Sequence, residues 1–335
     1  MMLARMQLHG AVEAFDRAPR GSSRAQAMQR QLREVARYFA TLRGSAHSAV
    51  YLALSGGLGQ VIDGLYVLVA RVLGRQLFVH HHSFAYLNQA TLVNRLLFSQ
   101  LRTATHIVLS DGMGSALARR YGIRGSGIRV VSNAAFLGPP SIADGPAVPP
   151  PSAIAVPLVI GFLSNITFDK GFVEFFAVLT QLRRLAVPYR AMIAGPVAPD
   201  ARAAFDRLLA AADQVDYAGP LYDDAKNLFY QKLDILLFPT RYANEAEPLV
   251  IHEALRSAVH VIACPRGAIP ELLSNGAGAV FDEDAFVDNA ARCIGEMSTD
   301  RSRLARAREL SFAQAQRLQL RAEAQLADLL RQIQQ

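Results

Sequence analysis

Apolar runs bounded by turn residues recur along the chain and alternate with segments whose apolar residues lie three or four positions apart. Short continuous apolar runs are typical of buried strands, and a spacing of three and four is typical of amphipathic helices. The pattern predicts strands at residues 49–54, 76–81, 106–110 and 128–132 in the first half, and at 158–163, 189–195, 215–219, 235–239, 259–264 and 277–282 in the second.

Strands that alternate with helices and are apolar on both faces are typical of parallel sheets covered by helices on both sides. We therefore predict the α/β class, with two Rossmann-like domains facing each other across a cleft. Residues 137–157 hold seven of the sixteen prolines, which predicts a stiff interdomain linker at 141–157. The N-terminal domain would then span 1–140, with a basic helical region at 1–47, and the C-terminal domain would span 158–296.

Two further segments predict helices. Residues 297–335 contain no glycine or proline and are rich in strong helix formers, which predicts a helical tail that we expect to pack back on the N-terminal domain. The longest apolar run, 65–74, is shorter than the roughly 20 residues that span a bilayer and contains Arg71. It predicts a buried helix.

Composition narrows the class of protein. Apolar residues make up 51% of the chain and charged residues 19%, which is typical of a globular protein. The two cysteines, Cys264 and Cys293, indicate neither a disulfide framework nor a zinc site. Charged residues interrupt the first residues, so no export signal is predicted. These features predict a cytoplasmic protein.

The formal charge of +7 is unevenly distributed, since residues 1–50 hold eight arginines against three acidic residues. Such a basic region could contact phosphates, an acidic partner or an anionic membrane, and we expect peripheral contact with the inner face of the cell membrane. The alternative is an ordinary solvated helix. No nucleic acid partner is predicted. Nearly all cationic side chains are arginines, because only Lys170, Lys226 and Lys232 are lysines.

Candidate chemistry lies in the loops that follow the strands of the second half. In open α/β sheets, ligands bind outside the carboxyl ends of the strands, where loops lead into helix N-termini. The loop after 158–163 contains Ser164, Asn165, Lys170 and Gly171 and leads into a predicted helix. Backbone N–H groups, the helix dipole and an ammonium together predict a phosphate site.

Carboxylates gather in the loop after 235–239. Glu245 and Glu247 lie in the loop, and Glu253 lies eight residues after Glu245, inside a helix that Pro248 begins. Carboxylates at a helix N-terminus repel a phosphate group. We therefore expect them to accept hydrogen bonds from neutral hydroxyls. A ligand with a diphosphate and many hydroxyls, such as a nucleotide sugar, satisfies both loops.

These residues resemble the family-four retaining glycosyltransferases of GT-B fold, also called glycosyl transferases group one. Glu245 to Glu253 resembles that family's E-x7-E signature, LSNITFDKG its G-R-L-x-x-x-K-G loop, and GAIPELL at 267–273 its GG-x-P-E turn. FVHHHSF resembles its H-x-H-G stretch, and 110–136 resembles the end of its N-terminal domain. The resemblance covers roughly residues 48 to 335.

The resemblance implies a retaining hexosyltransferase that moves a hexose from a UDP- or GDP-sugar to a glycan or lipid-linked acceptor in polysaccharide or glycoconjugate biosynthesis. No metal and no cofactor are implied. Lys170 would neutralise the diphosphate, Glu253 would bind the ribose, and Glu245 would meet the donor sugar. The nucleotide-sugar site would also include Ser164, Asn165, Gly219, Leu221 against the base, and the backbone of Leu249 and Val250, while His82 would reach the sugar from the N-terminal domain.

The chain departs from the family pattern at several positions. Asn165 stands where an arginine is usual, and Glu247 with Pro248 replaces Phe-Gly, which adds a negative charge near the sugar pocket. Ala258 and His260 replace Gly and Pro, which removes an expected left-handed cap. Nothing before residue 48 resembles the family's first strand and glycine-rich loop, so the N-terminal domain is expected to lack its first strand, either because the chain is truncated or because the domain is genuinely reduced. A catalytically silent relative that binds a nucleotide sugar or a partner protein is the alternative.

Plain structural interpretations remain open for each site. The glutamates and Lys170 could be ordinary surface residues, although they fall where α/β ligands bind. His80, His81 and His82 suggest a metal site, but consecutive strand residues point to opposite faces, which spoils shared coordination. The glycine cluster at 55–60 could cradle an anion, yet a close-packed turn is the simpler interpretation.

Overall fold

The computed structural model describes residues 2–7, 12–15, 24–45, 49–57, 59–137 and 157–334. The predicted linker at 141–157 lies outside these residues except for Pro157. Contacts divide the chain into two units. The first unit is Met1–Phe136 together with Ala322–Gln335, and the second is Leu137–Arg321.

The first unit is an α/β unit with a four-stranded parallel sheet in the order β1-β2-β3-β4. Its elements are α1 (Met2–Gln7), α2 (Arg24–Gly44), β1 (Ala49–Ala53), α3 (Gly59–Val72), β2 (Gln76–His80), α4 (Ala85–Asn88), α5 (Leu92–Gln100), β3 (Thr105–Val108), α6 (Asp111–Tyr121) and β4 (Ile128–Val130). All four strands lie where the sequence predicts them. In the part of the chain that the structure describes, no strand precedes β1, which agrees with the expected lack of a first strand.

Local sequence explains how the helices of the first unit begin and end. Thr91 and Asn94 form a reciprocal capping box at the start of α5, and the Ser110 side chain accepts a hydrogen bond from the Met113 N–H at the start of α6. Gly122 ends α6 in the left-handed conformation that glycine favours. Right-handed crossovers between successive neighbouring strands place α3, α5 and α6 on one face of the sheet.

The prediction of a buried helix at 65–74 is wrong in one respect. The segment is helical, but the side chains of Leu68 and Val72 are 51% and 73% exposed. Only the opposite side of α3, with Val67 and Ala70, is fully buried. The helix forms the outer layer of the unit and covers the sheet with one side, so its other side remains apolar and exposed.

The second unit is an α/β unit with a six-stranded parallel sheet in the order β10-β9-β8-β5-β6-β7. Its elements are β5 (Leu158–Leu163), α7 (Phe172–Arg184), β6 (Tyr189–Ala194), α8 (Arg202–Ala210), β7 (Val215–Tyr217), α9 (Asp223–Gln231), β8 (Ile235–Phe238), α10 (Leu249–Arg256), β9 (His260–Ala263), α11 (Ile269–Leu272), β10 (Gly278–Val280), α12 (Phe286–Thr299) and α13 (Arg301–Gln334). This is the doubly wound order, and it reverses between the neighbours β5 and β8.

The core of the second unit lies on both faces of this sheet. Strands β8 and β9 are buried along their whole length, as a parallel sheet between two helical layers requires. Helix α13 begins in the second unit, and its last residues are assigned to the first unit. Within the first unit, the Arg129 Nε donates a hydrogen bond of 2.9 Å to the side-chain oxygen of Gln332 on this helix.

The sequence-based expectation that Ala258 removes a left-handed cap after α10 is wrong. Ala258 adopts a φ of 53°, and the Val259 N–H donates to the Ala254 carbonyl, so the helix keeps the left-handed termination with alanine in place of glycine. Ala186 does the same after α7 at a φ of 53°. A Cβ in this region is strained by roughly 1 kcal/mol.

We expect Ala186→Gly to raise the free energy of unfolding by about 0.5–1 kcal/mol, because Ala186 is exposed and glycine relieves the strain without loss of packing. Ala258 is fully buried, so Ala258→Gly also removes a packed methyl group worth about the same amount, and it should change stability little. Denaturant unfolding of both variants measures the difference. Equal effects at the two positions would contradict this explanation.

Candidate functional site

The loops after β5 and β8 meet at the carboxyl edge of the second sheet, at the point where the strand order reverses. Lys170 ends a short helical turn, and Gly171 follows with a φ of 84°, at the start of α7. A Cβ on Gly171 would overlap the carbonyl oxygen of Pro239, which directly follows β8. The Arg241 N–H also donates to the Asp169 carbonyl over 2.8 Å. Glycine at 171 therefore allows the two loops to touch.

Lys170 and Glu245 form an ion pair between these loops. The Lys170 Nζ lies 2.5 Å from the Glu245 Oε2, and both side chains are less than one fifth exposed. The ammonium also lies 4.6 Å from the centre of the Tyr242 ring, a cation–π distance. Two residues predicted from separate motifs, 75 positions apart, are thus in direct contact.

Glu253 lies on α10, which begins at Leu249 directly after Pro248. Its carboxylate is held by α9: the Lys226 Nζ lies 2.6 Å from one oxygen, and the Tyr230 hydroxyl donates to the other over 2.9 Å. Burial, together with the neighbouring Glu253 carboxylate, raises the pKa of Tyr230 well above its ordinary value, so Tyr230 stays a proton donor. The second glutamate of the motif is therefore fixed in place by a lysine and a tyrosine.

The sequence did not identify Lys226 and Tyr230 as site residues. A signal for them existed, since Lys226 is one of only three lysines and lies four residues before Tyr230, on the same side of a helix. Each of the two spaced glutamates thus contacts one of the three lysines. In a chain that otherwise uses arginine, this placement makes both lysines candidates for function.

Glu247 does not add a charge to the sugar pocket in the way expected from the sequence. Its side chain is buried, and the His252 Nε2 lies 3.0 Å from its carboxylate. The pair links the loop before α10 to the helix itself. Gly267, with a φ of 51°, packs so closely that a Cβ would overlap the carbonyl oxygens of Glu245 and Ala246. The loop that carries Glu245 is therefore held from two sides.

Arg241 is a second residue missed by the sequence analysis. Its guanidinium contacts Glu174 in the first turn of α7 and Glu283 over 3.0 and 3.2 Å. An acidic residue in the first turn opposes anion binding there, and the pairing with Arg241 offsets its charge. The N-terminus of α7 thus keeps its positive character beside Lys170.

The remaining predicted residues of the second unit lie at the same edge of the sheet. Gly195 after β6 packs against the Ser164 carbonyl so closely that no Cβ would fit, and its N–H donates to the Gly219 carbonyl over 2.9 Å. Asn165 is exposed beside Ser164, and Leu221 is partly buried against the core under α10. Leu249 and Val250 form the first turn of α10.

His82 belongs to the first unit, where its exposed ring lies 4.0 Å from the centre of the His80 ring. His81 points elsewhere, into a buried chain of hydrogen bonds. The Leu101 carbonyl accepts from His106 Nε2–H, which leaves His106 Nδ1 to accept from His81 Nε2–H at 3.0 Å. The Tyr86 hydroxyl then donates to His81 Nδ1. Burial lowers the pKa of His106 to about 4 and that of His81 well below its ordinary value, so both rings are neutral structural groups.

The glycine cluster of the first unit is tied to α3 by Asp63. The Ser55 N–H and hydroxyl donate to the two carboxylate oxygens of this buried residue over 2.7 and 3.1 Å. A carboxylate in this place disfavours an anion, and the turn interpretation fits better. Leu58 of this cluster lies outside the described residues. Among the residues that the structure covers, no three His, Cys, Asp or Glu side chains are grouped so that they could hold a metal ion.

The sequence of the second unit matches a known protein family. Residues 157–300 match the profile of the family described as Glycosyl transferases group 1. No curated protein matches the chain by sequence. The match confirms the resemblance found in the sequence for these residues, which lie in the second unit.

Solved structures share the fold of nearly the whole chain. Anabaena Alr3699/HepE, solved in complex with UDP, is similar with a TM-score of 0.73 and 19% identity over 99% of this chain and 89% of that one. Sucrose-phosphate synthase from Thermosynechococcus elongatus gives 0.70 and 16% over 95% and 82%. The pneumococcal O-GlcNAc transferase GtfA, in complex with UDP and GlcNAc, gives 0.67 and 16% over 90% and 60%. At these identities the likeness shows the fold, and the predicted GT-B fold class is confirmed.

Proposed function

We propose that this chain is a retaining glycosyltransferase that moves a hexose from a UDP- or GDP-sugar to a glycan or lipid-linked acceptor in polysaccharide or glycoconjugate biosynthesis. The contact between Lys170 and Glu245 across the two loops carries the proposal. It joins the cation expected at the diphosphate to the acid expected at the sugar, at the sheet edge where α/β proteins bind ligands. The UDP bound by HepE and GtfA supports a nucleotide donor.

The ion pair suggests how the donor is received. Without donor, Glu245 neutralises Lys170, so the site holds no uncompensated buried charge. An arriving diphosphate competes for the ammonium, and Glu245 is then released to accept hydrogen bonds from the sugar hydroxyls. Donor binding thus places Lys170 on the diphosphate and Glu245 on the sugar hydroxyls in the same step.

During transfer, negative charge develops on the departing nucleotide diphosphate. In our proposal Lys170 and the N-terminus of α7 stabilise that charge, helped by the backbone of Leu249 and Val250 at the start of α10. These groups supply the positive charge that a metal supplies elsewhere, so the proposed reaction needs none. The acceptor hydroxyl attacks the anomeric carbon on the face from which the nucleotide leaves and gives its proton to the departing diphosphate, so the configuration of the sugar is retained.

The nucleoside is held by other residues in this proposal. Glu253 accepts hydrogen bonds from the ribose hydroxyls, Leu221 lies against the base, and Ser164, Asn165 and Gly219 line the same edge of the sheet. His82 is also proposed to contact the sugar. The experiment that tests the proposal is donor turnover across a panel of UDP- and GDP-sugars, with and without candidate acceptors. Consumption of no donor in the panel, with any acceptor, would contradict it.

A catalytically silent relative is the second candidate. Asn165, which stands where the family has an arginine, and the four-stranded first sheet favour it. Calorimetry distinguishes the two, because a silent relative would bind UDP or GDP without turning over any sugar nucleotide.

We further propose that Lys226 positions Glu253 for the ribose. Lys226→Met should raise the donor KM and the Kd for UDP by roughly three- to tenfold, because Glu253 loses a charged partner worth about 1 kcal/mol, while kcat should change little. Lys226→Arg should restore most of the affinity. Glu253→Gln should weaken UDP binding further, by about 10- to 100-fold, since it removes charge-assisted hydrogen bonds. An unchanged KM in Lys226→Met would remove Lys226 from the site.

A further inference from the structure

The outer layer of the first unit carries a set of exposed apolar side chains on two neighbouring helices, which we call the apolar face. The exposed fractions reach 73% for Val72 and 78% for Leu92. The apolar face consists of Val61, Leu65, Leu68 and Val72 on α3 and Leu92, Val93 and Leu96 on α5. The residues on α3 are four, three and four positions apart, so they form one stripe along the helix.

The two helices lie side by side, so their apolar side chains form one surface. Near their first residues, the Asn94 side chain donates to the Gln60 side chain. Near their last residues, the Arg71 guanidinium donates to the Gln100 carbonyl. Helices held together at both ends present their outward sides in the same direction.

The apolar face is not required to hold the unit together. The inward sides of the same helices already supply buried residues to the core, including Val67 and Ala70 on α3 and Leu97 and Phe98 on α5. Isolated exposed apolar residues are ordinary, but contiguous ones mark a surface that meets a partner or a membrane. The spacing makes these residues contiguous.

In the segment that carries the apolar face, the exposed charges are of one sign. From residue 59 to residue 103 the only acidic residue is Asp63, which is buried and accepts hydrogen bonds from Ser55. Arg71, Arg95 and Arg102 of the same segment are exposed. Helix α2, which contacts α3, adds the exposed Arg33 and Arg43. Its acidic residue, Glu34, is partly buried and pairs with Arg37 on the same helix.

We propose that the apolar face docks on an anionic lipid bilayer. Its leucine and valine side chains would enter the boundary between headgroups and acyl chains, while the arginine side chains reach the lipid phosphates. Charge decides between this partner and a second copy of the chain. Two copies joined through this face would bring arginines of like charge together, whereas anionic headgroups complement them.

This proposal changes the expected place of membrane contact. The sequence pointed to the arginine-rich region before residue 48, whereas the structure offers an apolar surface on α3 and α5, with α2 beside it. Nothing in the described part of the chain is a helix long and apolar enough to cross a bilayer. None of the residues of the apolar face belongs to the proposed donor site, so the two proposals stand or fall separately.

Vesicle binding of the full chain, without any nucleotide, tests the proposal. Wild type should co-sediment with vesicles of phosphatidylcholine and phosphatidylglycerol, and less with phosphatidylcholine alone, and added salt should weaken the binding. The double variant Leu68→Glu with Leu96→Glu should lower the partition coefficient by about tenfold or more, because it places two charges in the inserted surface. Leu320→Glu is the matched control, since Leu320 is 69% exposed on α13 and should leave binding unchanged.

The arginines are tested separately. Arg95→Gln should lower binding to the anionic vesicles by about fivefold and leave binding to phosphatidylcholine unchanged. If the glutamate variant fails to fold, Leu68→Ser with Leu96→Ser removes the same apolar surface without a charge. Equal vesicle binding of wild type and a folded double variant would overturn the proposal. So would a wild-type oligomer that the double variant dissociates while vesicle binding stays the same, which would make the face an interface between copies.

Discussion

Lys170→Ala is expected to lower donor turnover by about 10²-fold or more. The ammonium is the proposed group that stabilises the charge of the leaving diphosphate, and removing one such group from a partly buried site costs several kcal/mol in the transition state. The loss should appear mainly in kcat, because charge develops most strongly as the nucleotide departs.

Lys232→Ala is the matched control for this experiment. Lys232 is the third lysine of the chain, it is exposed at the end of α9, and it takes no part in the proposed site. Its variant should turn over donor like wild type. Glu245→Ala should also reduce turnover, since it removes the partner of Lys170 and the proposed acceptor for the sugar hydroxyls. Equal turnover in wild type and the Lys170 and Glu245 variants would refute the assigned roles.

Arg308→Met is expected to lower the free energy of unfolding of the second unit by about 3 kcal/mol or more. The Arg308 Nη1 lies 2.6 Å from the Asp234 carboxylate, both side chains are almost fully buried, and the other carboxylate oxygen accepts from the Val159 N–H. Methionine has a similar apolar chain length but no charge, so it leaves Asp234 as a buried charge without a counter-charge. Removing one partner of a buried ion pair in this way is strongly destabilising.

The pKa of Asp234 gives this prediction a pH dependence. Burial raises the pKa of Asp234 in the folded chain, against the opposing effects of Val159 and Arg308. A raised pKa in the folded state means that stability is lost as pH rises, because the folded chain must then hold the carboxylate ionised. Arg308 is one of the groups that lower this pKa, so its removal should raise the pKa of Asp234 further. The destabilisation by Arg308→Met should therefore be larger at pH 8 than near pH 5.

Two further variants separate the buried charge from other effects of the substitution. Asp234→Asn with Arg308→Met should recover most of the lost stability, since the amide oxygen still accepts from Val159 and no charge remains buried. Arg303→Met on the same helix breaks an exposed pair with Glu296 and should cost less than about 1 kcal/mol. Similar losses for Arg303→Met and Arg308→Met in chemical denaturation would contradict the account.

The sequence predicted most of the fold because its strands are unusually uniform. Runs such as ILLFP are apolar on both faces and bounded by turn residues, so each strand lies within one or two residues of its predicted position. The order β10-β9-β8-β5-β6-β7 is a property of contacts between distant segments, and no local pattern contains it. The exposed side of α3 was missed because it also depends on contacts between distant segments. An apolar run does not show which of its residues will be packed against another element.

The candidate site was predicted in part. Lys170 and Glu245 could be placed together, because both follow strands whose carboxyl ends share one sheet edge. The contacts of Glu253 with Lys226 and Tyr230 depend on how α9 packs against α10, which spacing along the chain does not specify. The pairing of Glu247 with His252 was missed because a charged residue in a loop is ordinarily exposed, whereas here a buried imidazole accommodates it.

The central claim is that the loops after β5 and β8 together bind a nucleotide diphosphate, with Lys170 on the phosphates and Glu253 on the ribose. A crystal structure of the chain with UDP measures this directly. The account predicts the Lys170 Nζ within about 3 Å of a β-phosphate oxygen, and the Glu253 carboxylate within about 3 Å of a ribose hydroxyl. UDP bound elsewhere, or bound while Lys170 stays on Glu245 with no phosphate in reach, would contradict it.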